Sequence, residues 1–315
     1  MTAFDWIAQT LGIVGSVAAA PLFLGWVNQC RAWLQNKSAP PLMQPYRGIR
    51  KLFYKDAVIA ANASPLFRLA PYVVFAAMVT AAAIIPSIAT RLPFTRAADA
   101  IALVGLFATA RVFVSLAAMD VGTAFGTLGA RREMMIGFLA EPALLMVIFV
   151  AALISTSTAL PAISEFLATQ TLALYPSLAF TAVAFTMVLL AENARIPIDN
   201  PATHLELTMI HEAMLLEYSA RHLALMEWAA ALKLFNYVCI GLALFVPWGL
   251  TTQHAPFALV TSALLLGAKL LIAGAGIALI ETVSAKLRVF RAPEFLATAF
   301  LLAVLGLLVH LLLGA

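Results

Sequence analysis

The chain has 315 residues, of which 63% are hydrophobic and only 11% charged, with a formal net charge of +4. A soluble domain carries about 25% charged residues, so a water-covered globule is excluded and lipid must meet most of the surface. Two cysteines, Cys30 and Cys239, are too few and too far apart for a metal or iron–sulfur motif. They also fall on different spans near opposite faces, which speaks against a disulfide. In such a chain a basic excess reports topology rather than nucleic-acid binding.

Apolar runs occur in chain order at Trp6–Val27, Phe67–Thr90, Ala98–Met119, Gly137–Ser155, Thr171–Ala191, Leu223–Trp248, Pro256–Ile280 and Phe295–Leu313. Each is close to the roughly 20 helical residues that cross a bilayer core. Helices are the natural form because lipid offers no partner for backbone groups. The expectation is an all-α integral membrane protein of about eight transmembrane helices, forming a single membrane domain over 1–315. The first run follows the acidic Asp5 and has no basic segment before it, so it is expected to be a span rather than a cleavable signal.

The basic residues set an orientation. With the N-terminus outside, the first inner loop holds Arg31, Lys37, Arg47, Arg50, Lys51, Lys55 and Arg68. Later inner loops hold Arg131, Arg132, Arg195, Arg221, Lys286, Arg288 and Arg291, against only Arg91 and Arg96 outside. Lys/Arg excess marks the cytoplasmic side. A multi-pass protein of the inner (cytoplasmic) membrane with both termini outside is therefore expected.

The first inner loop, Asn28–Leu66, contains the basic, amphipathic Gly48-Ile49-Arg50-Lys51-Leu52-Phe53-Tyr54-Lys55. It is either a surface helix with a solvated basic face or a docking element for a partner or for anionic headgroups. Arg47, Arg50 and Lys51, with the Arg131-Arg132 pair, are the candidate docking residues. Gly122, Gly126 and Gly129 follow a span rather than a strand and are expected to serve a tight turn or close packing. Gly274 and Gly276 are assigned to helix packing. His211-Glu212 fails as a zinc-protease motif, because position 215 is Leu215.

Five of the fifteen acids, Glu192, Asp199, Glu206, Glu212 and Glu217, fall between the fifth and sixth spans. Pro197 and Pro201 interrupt any helix continuing from the fifth span, and Asn200-Pro201 suits a restart. On the restarted helix His204 and His211 share one face, and Glu206 and Glu217 lie nearly opposite. Such a helix is either interfacial with solvated charges or the lining of a proton path. Arg111, Glu141, Glu227, Lys233, Lys269 and Glu281 fall inside or at the ends of apolar runs. Ionisable residues at that depth usually face a partner or a water-filled path, although Glu227 and Glu281 are near enough to span ends to snorkel.

This stretch resembles the membrane heel subunit of respiratory complex I and its relatives in group 4 membrane-bound nickel–iron hydrogenases, the formate hydrogenlyase type included. Glu192, Arg195-x-Pro197-x-Asp199, Glu206 and Glu217-Tyr218 match the family's acid, Arg-x-Pro-x-Asp core, further acid and Glu-Tyr pair. The departures are Ala202 and His204 where the complex I version has acids, a longer spacing to Glu217-Tyr218, and Asn36-Lys37-Ser38-Ala39-Pro40 in place of a fuller first-loop motif. They favour the hydrogenase-related branch.

The resemblance implies a cofactor-free membrane subunit that anchors a peripheral redox arm and couples electron transfer to proton or sodium translocation. Its implied partners are hydrogenase-like large and small subunits and antiporter-like membrane subunits, with the iron–sulfur clusters and any nickel–iron site in those partners. The implied coupling residues are Glu192, Arg195, Asp199, His204, Glu206, His211, Glu212, Glu217 and Tyr218, continued by Glu141, Glu227, Lys233, Lys269 and Glu281. The rivals are a quinone-site subunit of NADH:quinone oxidoreductase, a stand-alone ion transporter and an inert anchor.

Overall fold

A computed structural model describes residues 3–90, 93–94, 99–169, 175–195, 210–251, 256–284 and 291–313. Among these the chain is helical almost throughout. The helices are α1 (Ala3–Leu34), α2 (Gln44–Phe53), α3 (Pro65–Ile84), α4 (Ala100–Asp120), α5 (Ala124–Ser155), α6 (Leu160–Thr169), α7 (Pro176–Glu192), α8 (His211–Leu215), α9 (Ala220–Phe245), α10 (Pro256–Val283) and α11 (Ala292–Leu313). Seven of them are long and apolar enough to cross a membrane. The eighth expected span is α7, whose 17 residues reach only about 26 Å at 1.5 Å per residue. The eight-span architecture is thus present, with one short member.

Local chemistry sets the starts. Pro65 opens α3 and the Ser64 hydroxyl accepts from the Leu66 N–H at 3.1 Å. Asp99 caps α4 by accepting from the Ile101 N–H at 2.8 Å. Both arrangements satisfy N–H groups that the helix leaves unpaired. Gly122 makes the tight turn between α4 and α5 with φ of 74°, a conformation that suits glycine.

Helix α5 begins at Ala124, well before the apolar run that starts at Gly137, because its charged first half is covered by α4 and α8. A Cβ at Gly126 would lie 2.6 Å from the Ala118 carbonyl oxygen, and one at Gly129 would lie 2.8 Å from that of Ile210. The two glycines therefore allow close approach of α4 and of the residue leading into α8. Helix α6 is an addition that the apolar runs do not announce. Gly274 packs against the Trp26 ring, whereas Gly276 faces open space and is not a packing glycine.

The bundle has a body and an appendage. Helices α3, α4, α5, α7 and α9 form the body, α11 lies on α7 and α5, and α10 packs chiefly on α1. The core holds Phe67, Phe107, Phe185, Leu232 and Tyr237. Burial of side chains of this kind is worth about 1.5–3 kcal/mol each in water; inside lipid, close packing and interhelical hydrogen bonds carry the association instead. Asn236 provides one such bond, donating to the Met78 carbonyl at 2.9 Å. Cys30 and Cys239 are buried and free.

Candidate functional site

Helix α7 ends inside the bundle. Its last turn is closed by Ala194 at φ 51°, where the left-handed backbone folds the chain back and the Arg195 N–H reaches the Leu190 carbonyl at 2.8 Å. Lys233, halfway along α9, donates from Nζ to the Glu192 carbonyl and sits 2.8 Å from its carboxylate Oε2. A cation on the last carbonyls of a helix also opposes its dipole.

Around this end lies a buried charge cluster. The Arg111 guanidinium pairs with Glu192 and Glu141 through its two terminal nitrogens and with Glu133 through Nε at 3.4 Å. The Arg111, Glu133 and Glu192 side chains are nearly inaccessible, whereas Glu141 is 35% exposed. His211 on α8 brings Nε2 to 3.2 Å from Glu133 Oε2 and is itself 26% exposed. Gly137 makes the arrangement possible, since a Cβ there would overlap the Arg111 guanidinium.

Two cations thus face three carboxylates, with His211 at one edge and the half-exposed Glu141 at another. Beside them is a cavity of about 120 Å³ bordered by Phe107, Arg111, Glu133, His211 and Lys233. A polar cavity of that size has room for water.

A second ionic group sits near the C-terminal ends of α1 and α10. Glu281 accepts from Arg31 Nη1 at 2.9 Å and lies 3.6 Å from Arg195 Nη1. Burial pulls the Arg195 guanidinium below its usual range; the Glu281 charge opposes this and the Arg31 charge adds to it.

The sequence candidates divide accordingly. Glu192, Glu141, Lys233 and His211 meet in the cluster, and Arg195 meets Glu281 in the second group. Asp199, His204 and Glu206 lie outside the described residues. Helix α8 stops at Leu215, so Glu217 does not continue a helix face there. The chain turns away because the Tyr218 ring stacks on Phe67 with centroids 4.1 Å apart and its hydroxyl donates to the Phe67 carbonyl at 3.0 Å. The Ser219 hydroxyl donates to the Val58 carbonyl at 2.7 Å and accepts from the Val58 N–H at 2.9 Å.

Burial, then the Asp120 charge, pushes the Tyr218 phenol above its ordinary value. It stays protonated at neutral pH, with its hydroxyl held on the Phe67 carbonyl. Glu212 is exposed on α8, and Glu227 is exposed on α9. Lys269 donates to the Val246 carbonyl at 2.6 Å and to the Trp248 carbonyl, so it caps the end of α9 away from the cluster.

Arg47, Arg50 and Lys51 are exposed on α2, as is Arg131 on α5, while Arg132 is half-buried. Glu133 has no counterpart among the sequence candidates. Its signal was the four-residue spacing of Glu133, Gly137 and Glu141, which shares one helix face.

Comparison with known proteins agrees with this architecture. The NADH dehydrogenase family profile matches residues 8–312. Formate hydrogenlyase subunit 4 of Escherichia coli (strain K12) is 32% identical over 283 residues, covering 90% of this chain and 91% of the relative. Hydrogenase-4 component C of the same organism is 36% identical over 243 residues, 77% of this chain and 76% of that protein. A chain of the membrane-bound sulfane sulfur reductase, an archaeal respiratory membrane complex, shares the fold with a TM-score of 0.78 at 17% identity, covering 96% of this chain and 98% of that one. With the profile spanning nearly its full length and two relatives above 30% identity, the chain belongs to the NADH dehydrogenase family.

Proposed function

We propose that this chain is the membrane subunit of a complex I-like, hydrogenase-type oxidoreductase, anchoring a peripheral redox arm and coupling electron transfer to proton or sodium movement. The observation that carries this is the cluster of Glu133, Glu141 and Glu192 around Arg111 and Lys233. Three carboxylates against two fixed cations leave one negative charge over, so the cluster has reason to hold one further proton or cation. Like charges packed together at low dielectric favour such an uptake.

His211 is the group through which a proton enters from the side of α8, passing to Glu133. Glu141, half-exposed about midway along α5, is where the charge leaves towards a neighbouring antiporter-like subunit. Asp199 and Glu206 of the adjoining segment respond to the peripheral arm, whose hydrogenase-like subunits carry the iron–sulfur clusters and any nickel–iron centre. The cavity of about 120 Å³ beside the cluster supports water and proton traffic.

The test uses liposomes holding the whole complex. Ion uptake and redox rate are recorded for Glu133→Gln and Asp199→Asn. Assembly is expected to survive, with uptake falling by about a hundredfold, the low end of what a positioned proton-transfer group contributes. Normal uptake at a normal redox rate in both variants would reduce the chain to an anchor.

The peripheral arm docks on the side bearing Arg47, Arg50, Lys51, Arg131 and Arg132, which is the cytoplasmic face, and both termini lie opposite. A cysteine placed at Ser38 is expected to label from the cytoplasm once the arm is stripped and to be protected while it is bound. One at Ser284 also labels from the cytoplasm, and one at Ser157 labels from outside. Labelling of Ser38 from outside reverses the orientation, and equal labelling with and without the arm removes the docking surface.

A further inference from the structure

Helix α10 leans on α1 and stands apart from α7 and α11, and a cleft of about 370 Å³ remains between them. Its walls are apolar: Ala182, Val183, Met187 and Leu190 on α7, Ile280 on α10 and Phe295 on α11. From Ala182 to Leu190 it runs along α7 for about 12 Å at 1.5 Å per residue. Its polar lining is Thr186 on α7, with Arg195, Glu281 and Ser284 gathered at the C-terminal ends of α7 and α10.

The balance of charge at that end favours an anion. Glu281 is shared by two guanidiniums, and Arg31 holds it more closely, at 2.9 Å, than Arg195 does, at 3.6 Å. Arg195 lines the cleft with its side chain only 12% exposed, so among the described residues two guanidiniums share one carboxylate and the group carries one positive charge over. A guanidinium fork suits phosphate oxygens, and the Ser284 hydroxyl can supply another donor. An acid-bearing head over a narrow apolar slot open to the bilayer has the shape of a lipid.

We propose that this cleft binds one anionic phospholipid from the leaflet on the Arg195 side, with its phosphate on Arg195 and Ser284 and one acyl chain between α7 and α10. The lipid fills the gap that protein packing leaves and fixes α10 against the body. The site stands apart from the Arg111 cluster and does not depend on ion coupling.

The full-length chain, delipidated in detergent, is titrated with phosphatidylglycerol, phosphatidylcholine or inorganic phosphate. Bound adducts are counted by native mass spectrometry, and Tm is followed alongside. Phosphatidylglycerol is expected to bind at least about tenfold more tightly than the other two and to raise Tm. Arg195→Gln weakens it roughly fivefold, the factor one basic residue contributes near an anionic headgroup. Glu281→Gln strengthens it by a similar factor, because the competing carboxylate is gone; a merely structural ion pair predicts no gain.

Thr186→Trp and Ala182→Phe block the slot and abolish phosphatidylglycerol binding. Using both keeps the test valid if one of them misfolds. Equal binding of inorganic phosphate and phosphatidylglycerol would leave an anion site with no acyl chain and overturn the proposal. So would unchanged affinity in both charge variants, or a cross-link from a cysteine at Ala182 to a partner helix in the whole complex.

Discussion

Replacing Glu192 with glutamine is expected to destabilise the chain by about 3–5 kcal/mol, the cost of removing one partner from a buried ion pair. Glu192 is 1% exposed and holds both the Arg111 guanidinium and the Lys233 ammonium. Glutamine keeps the volume but takes the carboxylate partner from Lys233 and one of three from Arg111, so assembly of the complex falls sharply. The double variant Glu192→Gln/Lys233→Met removes one orphaned cation along with the carboxylate and recovers most of the stability. Ion uptake does not recover with it, because the proton-binding carboxylate is still missing. Thermal unfolding of the assembled complex and uptake in liposomes separate the two effects. A double variant that pumps normally would make Glu192 a counter-ion and nothing more.

Arg111→Lys is the second large effect, although it conserves charge. The three nitrogens of Arg111 each meet a different carboxylate, those of Glu133, Glu141 and Glu192. An ammonium is a point charge on a flexible stem and cannot span that fork. At least one carboxylate is then left buried without its partner, at about 1–3 kcal/mol, and the excess negative charge settles as a fixed proton rather than a mobile one. Redox turnover uncoupled from ion uptake is the expected signature, with the complex still assembled. Gly137→Ala approaches the same outcome from the other helix, since its Cβ would overlap the guanidinium. Normal coupling in Arg111→Lys would show that the cluster needs only a positive charge there, not the fork.

The spans were legible in the sequence because lipid imposes a simple rule: about twenty apolar residues with no water-facing side. The same rule hid the length of α5. Arg131-Arg132-Glu133 has the composition of a loop, and only the cover of α8 and α4 turns it into helix with Glu133 buried. Gly137 looked like the start of a span, yet its purpose lies in the Arg111 side chain across the interface.

Residues such as Glu141 and Lys233 were visible as charges too deep to be idle, since solvation makes them costly in lipid. Their partners were not visible. Arg111 meets Glu192 across 81 positions and Arg31 meets Glu281 across 250, and such pairings depend on the vertical register of packed helices. Composition fixes that a helix crosses the membrane, whereas register comes from side-chain packing and from where a helix stops. Here α7 stops early at the left-handed Ala194, which sets Glu192 level with Lys233 and so determines which charges can meet.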